Sequence, residues 1–143
     1  MSFDAFDRAD PSPSVEIVRQ IWVAIRNRDF DGLAALLDNR IVWTVPAMPG
    51  VPFAGTWTGR EQIREFFRVV DQAQEAIKFV PDEVIAQGGK VVVIGRFENR
   101  VRATGAISRS DWSQLWTIAN GRALAMTEFV DTLAVSEAYR ASP

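Results

Sequence analysis

The chain has 143 residues, 48% of them hydrophobic and 24% charged, enough for one domain with its own core and no covalent staples. Sixteen Lys and Arg against eighteen Asp and Glu give a net charge of −2, which leaves no cationic excess to neutralise phosphates and argues against nucleic acid as a partner. There is no Cys and no His, so disulfides, thiolate and imidazole metal sites, cysteine nucleophiles and the Ser-His-Asp triad are all excluded, and acid–base chemistry falls to carboxylates, Arg, Lys or Tyr139.

No apolar run reaches the ~20 residues that span a bilayer. The opening MSFDAFDRAD is acidic where a secretory leader would be basic and then apolar. A cytoplasmic protein that engages no membrane is expected, with residues 1–143 as a single domain and 1–11 as a flexible tail.

Ser12 can cap a helix whose first turn accepts Pro13, and Val15, Val18, Ile21, Trp22 and Ile25 recur at spacings of three and four on one face. The pattern stops at Arg28-Asp29, and Asp29 caps a second, short helix with Phe30, Leu33, Leu36 and Leu37 inside. Ile41 to Val45 is β-branched and aromatic and reads as a strand, with Trp43 facing inward alongside Ile41 and Val45. A Pro- and Gly-rich loop, Ala47 to Trp57, follows. Thr58-Gly59-Arg60-Glu61 reads as a capping box for a third helix through Ile63, Phe66, Phe67 and Val70, ending near Gln74. Strands are then expected over 76–87, 90–102, 106–118 and 122–132, separated by Gly88-Gly89, Thr104-Gly105 and Asn120-Gly121. Helices first and hairpins afterwards is the α+β pattern, three N-terminal helices against one face of a curved, mostly antiparallel sheet.

Candidate chemistry lies on the strands. Trp112, Gln114, Trp116 and Ile118 share a face, so Gln114 is an amide between two indoles that needs a partner or a ligand. A two-residue Asn120-Gly121 loop would set Glu128 opposite Ser113, and a three-residue Ala119-Asn120-Gly121 loop opposite Trp112; the alternation of Leu124, Met126, Glu128 and Val130 favours the second and makes Glu128 an acid in an apolar wall. On the strand over 90–102, Ile94, Arg96, Glu98 and Arg100 share one face, and Val91, Val93, Gly95, Phe97 and Val101 the other. The charged face is either solvated, the commoner arrangement, or part of a Glu98–Arg96–Glu128 chain in which one guanidinium bridges two carboxylates. Trp43, Trp112, Gln114 and Trp116 are the candidate ligand-binding residues; for any one indole, ordinary core packing is the competing reading.

Several motifs together resemble the SnoaL-like branch of the nuclear transport factor 2-like superfamily. They are Asn27-Arg28-Asp29 with Leu33 to Leu37, Val42-Trp43 with Pro46, Gly55 to Glu61, Thr104-Gly105, Asp111-Trp112 with Trp116, Asn120-Gly121, and Glu128 to Thr132, spread from Val15 to Tyr139. The resemblance implies a cone-shaped α+β fold enclosing a pocket, shared with ketosteroid isomerase, polyketide cyclases and limonene-epoxide hydrolase. It implies no metal and no cofactor, an apolar small-molecule ligand, and a homodimer through the outer sheet face, for which Phe97 and Leu115 would suit. At the positions matching ketosteroid isomerase's base and Tyr donor stand Val45 and Ile21, which argues against steroid isomerisation; Gln114 matches its second oxyanion donor. By similarity to limonene-epoxide hydrolase, Glu128 would draw a proton from water, Arg96 would hold both acids and Glu98 would protonate the leaving oxygen; Trp43 and Val45 stand where that family positions its water. The expected function is acid–base catalysis on a ring-containing metabolite, by epoxide hydration or by cyclisation or isomerisation of a carbonyl compound. A binding or dimerisation domain without turnover is the alternative.

Overall fold

The computed structural model describes residues 3–141. Its elements are α1 (Asp4–Arg8), α2 (Pro13–Arg26), α3 (Phe30–Leu36), β1 (Leu37–Val45), β2 (Gly55–Thr58), α4 (Arg60–Ala73), β3 (Gln74–Gln87), β4 (Lys90–Val101), β5 (Ile107–Ala119), β6 (Arg122–Val130) and α5 (Thr132–Arg140). The strands form one sheet in the order β2-β1-β6-β5-β4-β3, antiparallel except where β1 pairs β6. This is the expected α+β architecture, a curved and open sheet with helices packed on one face. No described helix is long and apolar enough to cross a membrane.

The helix starts follow local chemistry. Ser12 accepts a hydrogen bond from the Val15 N–H at 3.1 Å, and Asp29 one from Gly32 at 2.9 Å, each satisfying a donor that the first helical turn leaves unpaired. At α4 the expected capping box does not form. Gly59 occupies the N-cap with a φ of 84°, and Gln62, one residue beyond Glu61, reaches back to the Thr58 N–H at 2.8 Å while Thr58 remains in β2. The supposed loop after Val45 therefore yields a short strand, Gly55–Thr58, against β1.

Three further expectations change. Residues 4–8 form a helix, with Ala5 and Phe6 buried and the Phe3 and Phe6 rings packed edge-on or tilted against Trp22, so the described part of the expected tail belongs to the core. Leu37 opens β1, four residues before the expected start, and Asp38-Asn39 runs within the strand beside a register irregularity. The last strand stops at Val130, because Asp131 accepts a bond from the Ala134 N–H and starts α5.

The indoles fill the space under the helices. Trp112 stacks on Trp22 at 5.3 Å and on Phe79 at 4.9 Å, and Trp43 meets Trp116 edge-on at 5.4 Å. Gly95 makes the first stack possible: a Cβ there would lie 2.5 Å from the Trp112 ring and 2.0 Å from the Val80 carbonyl oxygen. Phe97, expected on the outer face, is 6% exposed on the inner one. It stands two residues from Gly95 and shares its side of the pleat. The outer surface is left with Arg96, Glu98 and Arg100 along β4 and Leu115 on β5.

Candidate functional site

The inward face of β6 is set by a turn and a bulge together. Asn120 and Gly121 both have positive φ, 53° and 74°, as a two-residue hairpin turn requires, and they pair Ala119 with Arg122 and Ile118 with Ala123. One residue, Leu124, is then left out of the ladder and points to solvent; beyond it Thr117 pairs Ala125 and Gln114 pairs Glu128. The turn is the two-residue one, yet Glu128 lies opposite Gln114, in neither register expected from a regular hairpin. The extra residue turns Glu128 inward, as the alternation argument required, and puts Ala123 in the core in place of Leu124.

Gln114 is 7% exposed and fully engaged. The Trp116 indole N–H donates to its Oε1 at 3.2 Å, which leaves the amide NH2 to serve as the hydrogen-bonding side toward Glu128. Glu128 is half-buried, with its carboxyl turned toward the inner face of the sheet. Burial pushes it up from 4.5 to about 7, with the Gln114 bond pulling weakly the other way, and no cation contributes. Such a carboxyl is poised to give or take a proton near neutral pH.

Glu128 lines a small, partly open cavity of about 50 Å³. Its apolar wall comes from Met48, Phe53, Phe79, Phe97, Val130 and Val135, and its polar wall from Glu128, Gln74 and Asn99. The Tyr139 hydroxyl donates to Gln74 Oε1 at 2.8 Å and fixes that amide, while burial pushes the phenol well above its ordinary range. Asn99 is 4% exposed and its Oδ1 meets no donor among the described residues, an omission that costs roughly 1–3 kcal/mol unless something fills it. The space has room for only a few water-sized molecules, each needing at least ~10–15 Å³, whereas sites for ring compounds run to about 300–1,000 Å³. A ring ligand therefore needs a wall to yield. Met48 and Phe53 belong to the irregular segment between β1 and β2, the part of the wall outside the sheet and the helices.

The structure separates the residues of the expected charged chain. Arg96 lies on the outer face in a two-bond pair with Asp82, at 2.8 and 3.0 Å, and Glu98 pairs Arg109 at 3.1 Å on the same side. Both are across the sheet from Glu128, because even positions of β4 point out and odd positions in. The Glu98–Arg96–Glu128 constellation is thus not assembled. Trp43, Trp112 and Trp116 are 3%, 2% and 0% exposed and pack on aromatic neighbours without reaching the cavity wall; Gln114 is the one expected binding residue in contact with Glu128. Asn99 was missed, although it is the polar member of an inward set otherwise made of Val91, Val93, Gly95, Phe97 and Val101. Among the described residues no three Asp or Glu side chains converge as a metal site would require.

The sequence profile of the SnoaL-like domain matches residues 18–126. Among solved structures, the chain is similar to a nuclear transport factor 2-like protein from Burkholderia xenovorans, with 29% identity and a TM-score of 0.84 over 89% of this chain and 95% of that one. A counterpart from Burkholderia thailandensis shares 27% identity with a TM-score of 0.79, covering 90% and 98%. TerC, co-crystallised with polyporic acid, shares 28% identity with a TM-score of 0.78, covering 91% and 100%. No curated protein matches the chain.

Proposed function

We propose, on the premise that this chain belongs to the SnoaL-like family of the nuclear transport factor 2-like superfamily, that it binds an apolar ring-containing carbonyl compound and moves a proton on it with Glu128. The observation that carries this reading is a half-buried, inward-facing carboxyl that lines a small pocket and has no cationic partner among the described residues. Buried and raised acids are what proton-transfer sites need, since a group near neutrality is both a competent base and a competent acid.

One carboxyl suits one kind of reaction better than the other. In isomerisation or cyclisation of a carbonyl compound, ionised Glu128 takes a proton from the carbon beside the carbonyl, and the resulting acid returns it to a second atom of the same molecule. Gln114 steadies the ionised form through its N–H. Epoxide hydration asks for a base toward water and a separate acid toward the leaving oxygen. With Arg96 and Glu98 engaged by Asp82 and Arg109 on the outer face, that second acid has no counterpart at the cavity, so the carbonyl reaction is the better supported of the two.

Replacing Glu128 tests this directly. Glu128→Gln keeps the shape and should lower turnover of an enone or polyketone substrate by roughly 10²–10⁴-fold, the range of a lost general acid–base group, with ligand affinity changed only a few-fold. Turnover that survives in Glu128→Gln would overturn the role. A second reading, a binder without turnover, is favoured by TerC's co-crystallisation with polyporic acid. It is preferred if polyporic acid binds while a panel of enones and polyketones goes unchanged.

A further inference from the structure

We propose that Asn99 is a second anchor of the cavity, accepting a hydrogen bond from a hydroxyl that the ligand carries at the end away from the group facing Glu128. The inference rests on the reading above only in taking this cavity as the ligand site, and it narrows the substrate class to ring compounds with a carbonyl near one end and a neutral hydroxyl near the other.

Position comes first. Asn99 pairs across the ladder with Ser108, and Glu128 with Gln114, so the two groups are referred to positions on β5 that differ by six residues. A flat sheet would set these levels ~20 Å apart at ~3.3 Å per residue. Curvature of the sheet and the inward reach of both side chains bring them onto the wall of one cavity. Phe97 and Val130 share that wall and supply an apolar middle. The lining is polar at Glu128 and, at the other end, at Asn99 and Gln74, and apolar between them.

Chemistry comes second. Asn99 Oδ1 is buried with no donor, and Ser108, directly opposite at the spacing of a cross-strand pair, is 2% exposed with its own Oγ unpartnered. Two neighbouring buried groups are left open where one could have satisfied the other. A site of that kind accepts a hydroxyl and rejects the analogue lacking it, because the analogue leaves the amide dry and unpaired. A ligand hydroxyl would supply the donor that the Asn99 carbonyl oxygen lacks.

The test uses a matched pair of enones, para-hydroxybenzylideneacetone and benzylideneacetone, with dissociation constants measured by calorimetry or fluorescence on the full chain at neutral pH. The wild-type protein should bind the hydroxylated compound at least tenfold tighter. In Asn99→Leu that preference should vanish through loss of affinity for the hydroxylated compound alone, and the melting temperature should hold or rise, because an unmet polar group has been replaced by an apolar one. A wild-type preference below tenfold, a preference retained in Asn99→Leu, or no binding of either compound at millimolar concentration would overturn the assignment. The wild-type comparison stands even if the variant misfolds. Glu128→Gln separates this inference from the catalytic one: loss of turnover with the hydroxyl preference intact upholds both. Intact turnover with the preference present upholds Asn99 and removes only the role of Glu128.

Discussion

On the outer face of the sheet, Arg96 and Asp82 hold each other by two hydrogen bonds in contact with solvent, and the Arg96 bond keeps the Asp82 carboxyl below its usual range. On the inner face, Glu128 has an amide for company, and burial drives its carboxyl the other way. The side chains are of similar kind and belong to opposite faces of the same sheet, on β3 and β6. The difference is that a guanidinium and full contact with water stabilise the charge outside, while inside the carboxyl is partly desolvated and no cation contributes, so the neutral form gains. A charged cluster drawn across the sheet would have erased that contrast, and with it the reason for placing proton transfer at Glu128.

The largest effect expected from disturbing the inner face is at Trp116. The residue is fully buried, meets Trp43 edge-on and donates to Gln114. Trp116→Ala should cost about 3–5 kcal/mol in denaturant unfolding, the range for aromatic truncation in a packed core. A ligand-lining indole would behave differently, losing affinity with little loss of stability, and that result would return Trp116 to the binding wall.

Next in size is the pH dependence contributed by Glu128. Its carboxyl is raised from 4.5 to about 7 on folding, so between these values the folded chain binds more protons than the unfolded one, and stability must fall as pH rises. The contribution is fully present below pH ~4.5 and gone above ~7, an amount on the order of 3 kcal/mol at about 1.4 kcal/mol per unit. Glu128→Gln lacks this dependence, and the low-lying surface acids are common to both proteins. The variant's stability relative to wild type should therefore climb from pH 5 to pH 8 in paired urea titrations. A difference that stays flat would mean the carboxyl is hydrated and not raised.

How much of this was legible beforehand depends on what each residue's neighbours could reveal. Alternation along β5 placed Trp112, Gln114 and Trp116 inward, because three alternate large residues on one strand have a single sensible side. The same reasoning left β4 undecided. Its apolar set and its charged set are equally regular, and only the location of the helices says which faces in; Phe97 and Asn99 went in, and Arg96 and Glu98 stayed out. Glu128 was placed on the correct face through an incorrect ladder. A bulge at Leu124 adds one residue after a two-residue turn, and no local propensity marks where such a residue will be left out. Helix α5 carries a readable start in Asp131 followed by Thr132, Leu133 and Ala134, but Thr132 also continues a β-rich run, and packing of Val135 and Ala138 decides the matter.

The smallest effect should come from the outer face, and its smallness is informative. Arg96 is solvent-exposed and its bonds go to Asp82, so Arg96→Gln removes a pair that competes with water at every moment. Turnover and the melting temperature should both match wild type within error. The same replacement would cripple an enzyme in which Arg96 bridged two catalytic carboxylates, since the freed acids would repel each other and lose their alignment. A single kinetic measurement on Arg96→Gln thus discriminates between proton transfer by one half-buried acid and hydrolysis by a bridged pair. A loss of activity there, with the fold intact, would mean that in solution β4 presents its other side to the cavity.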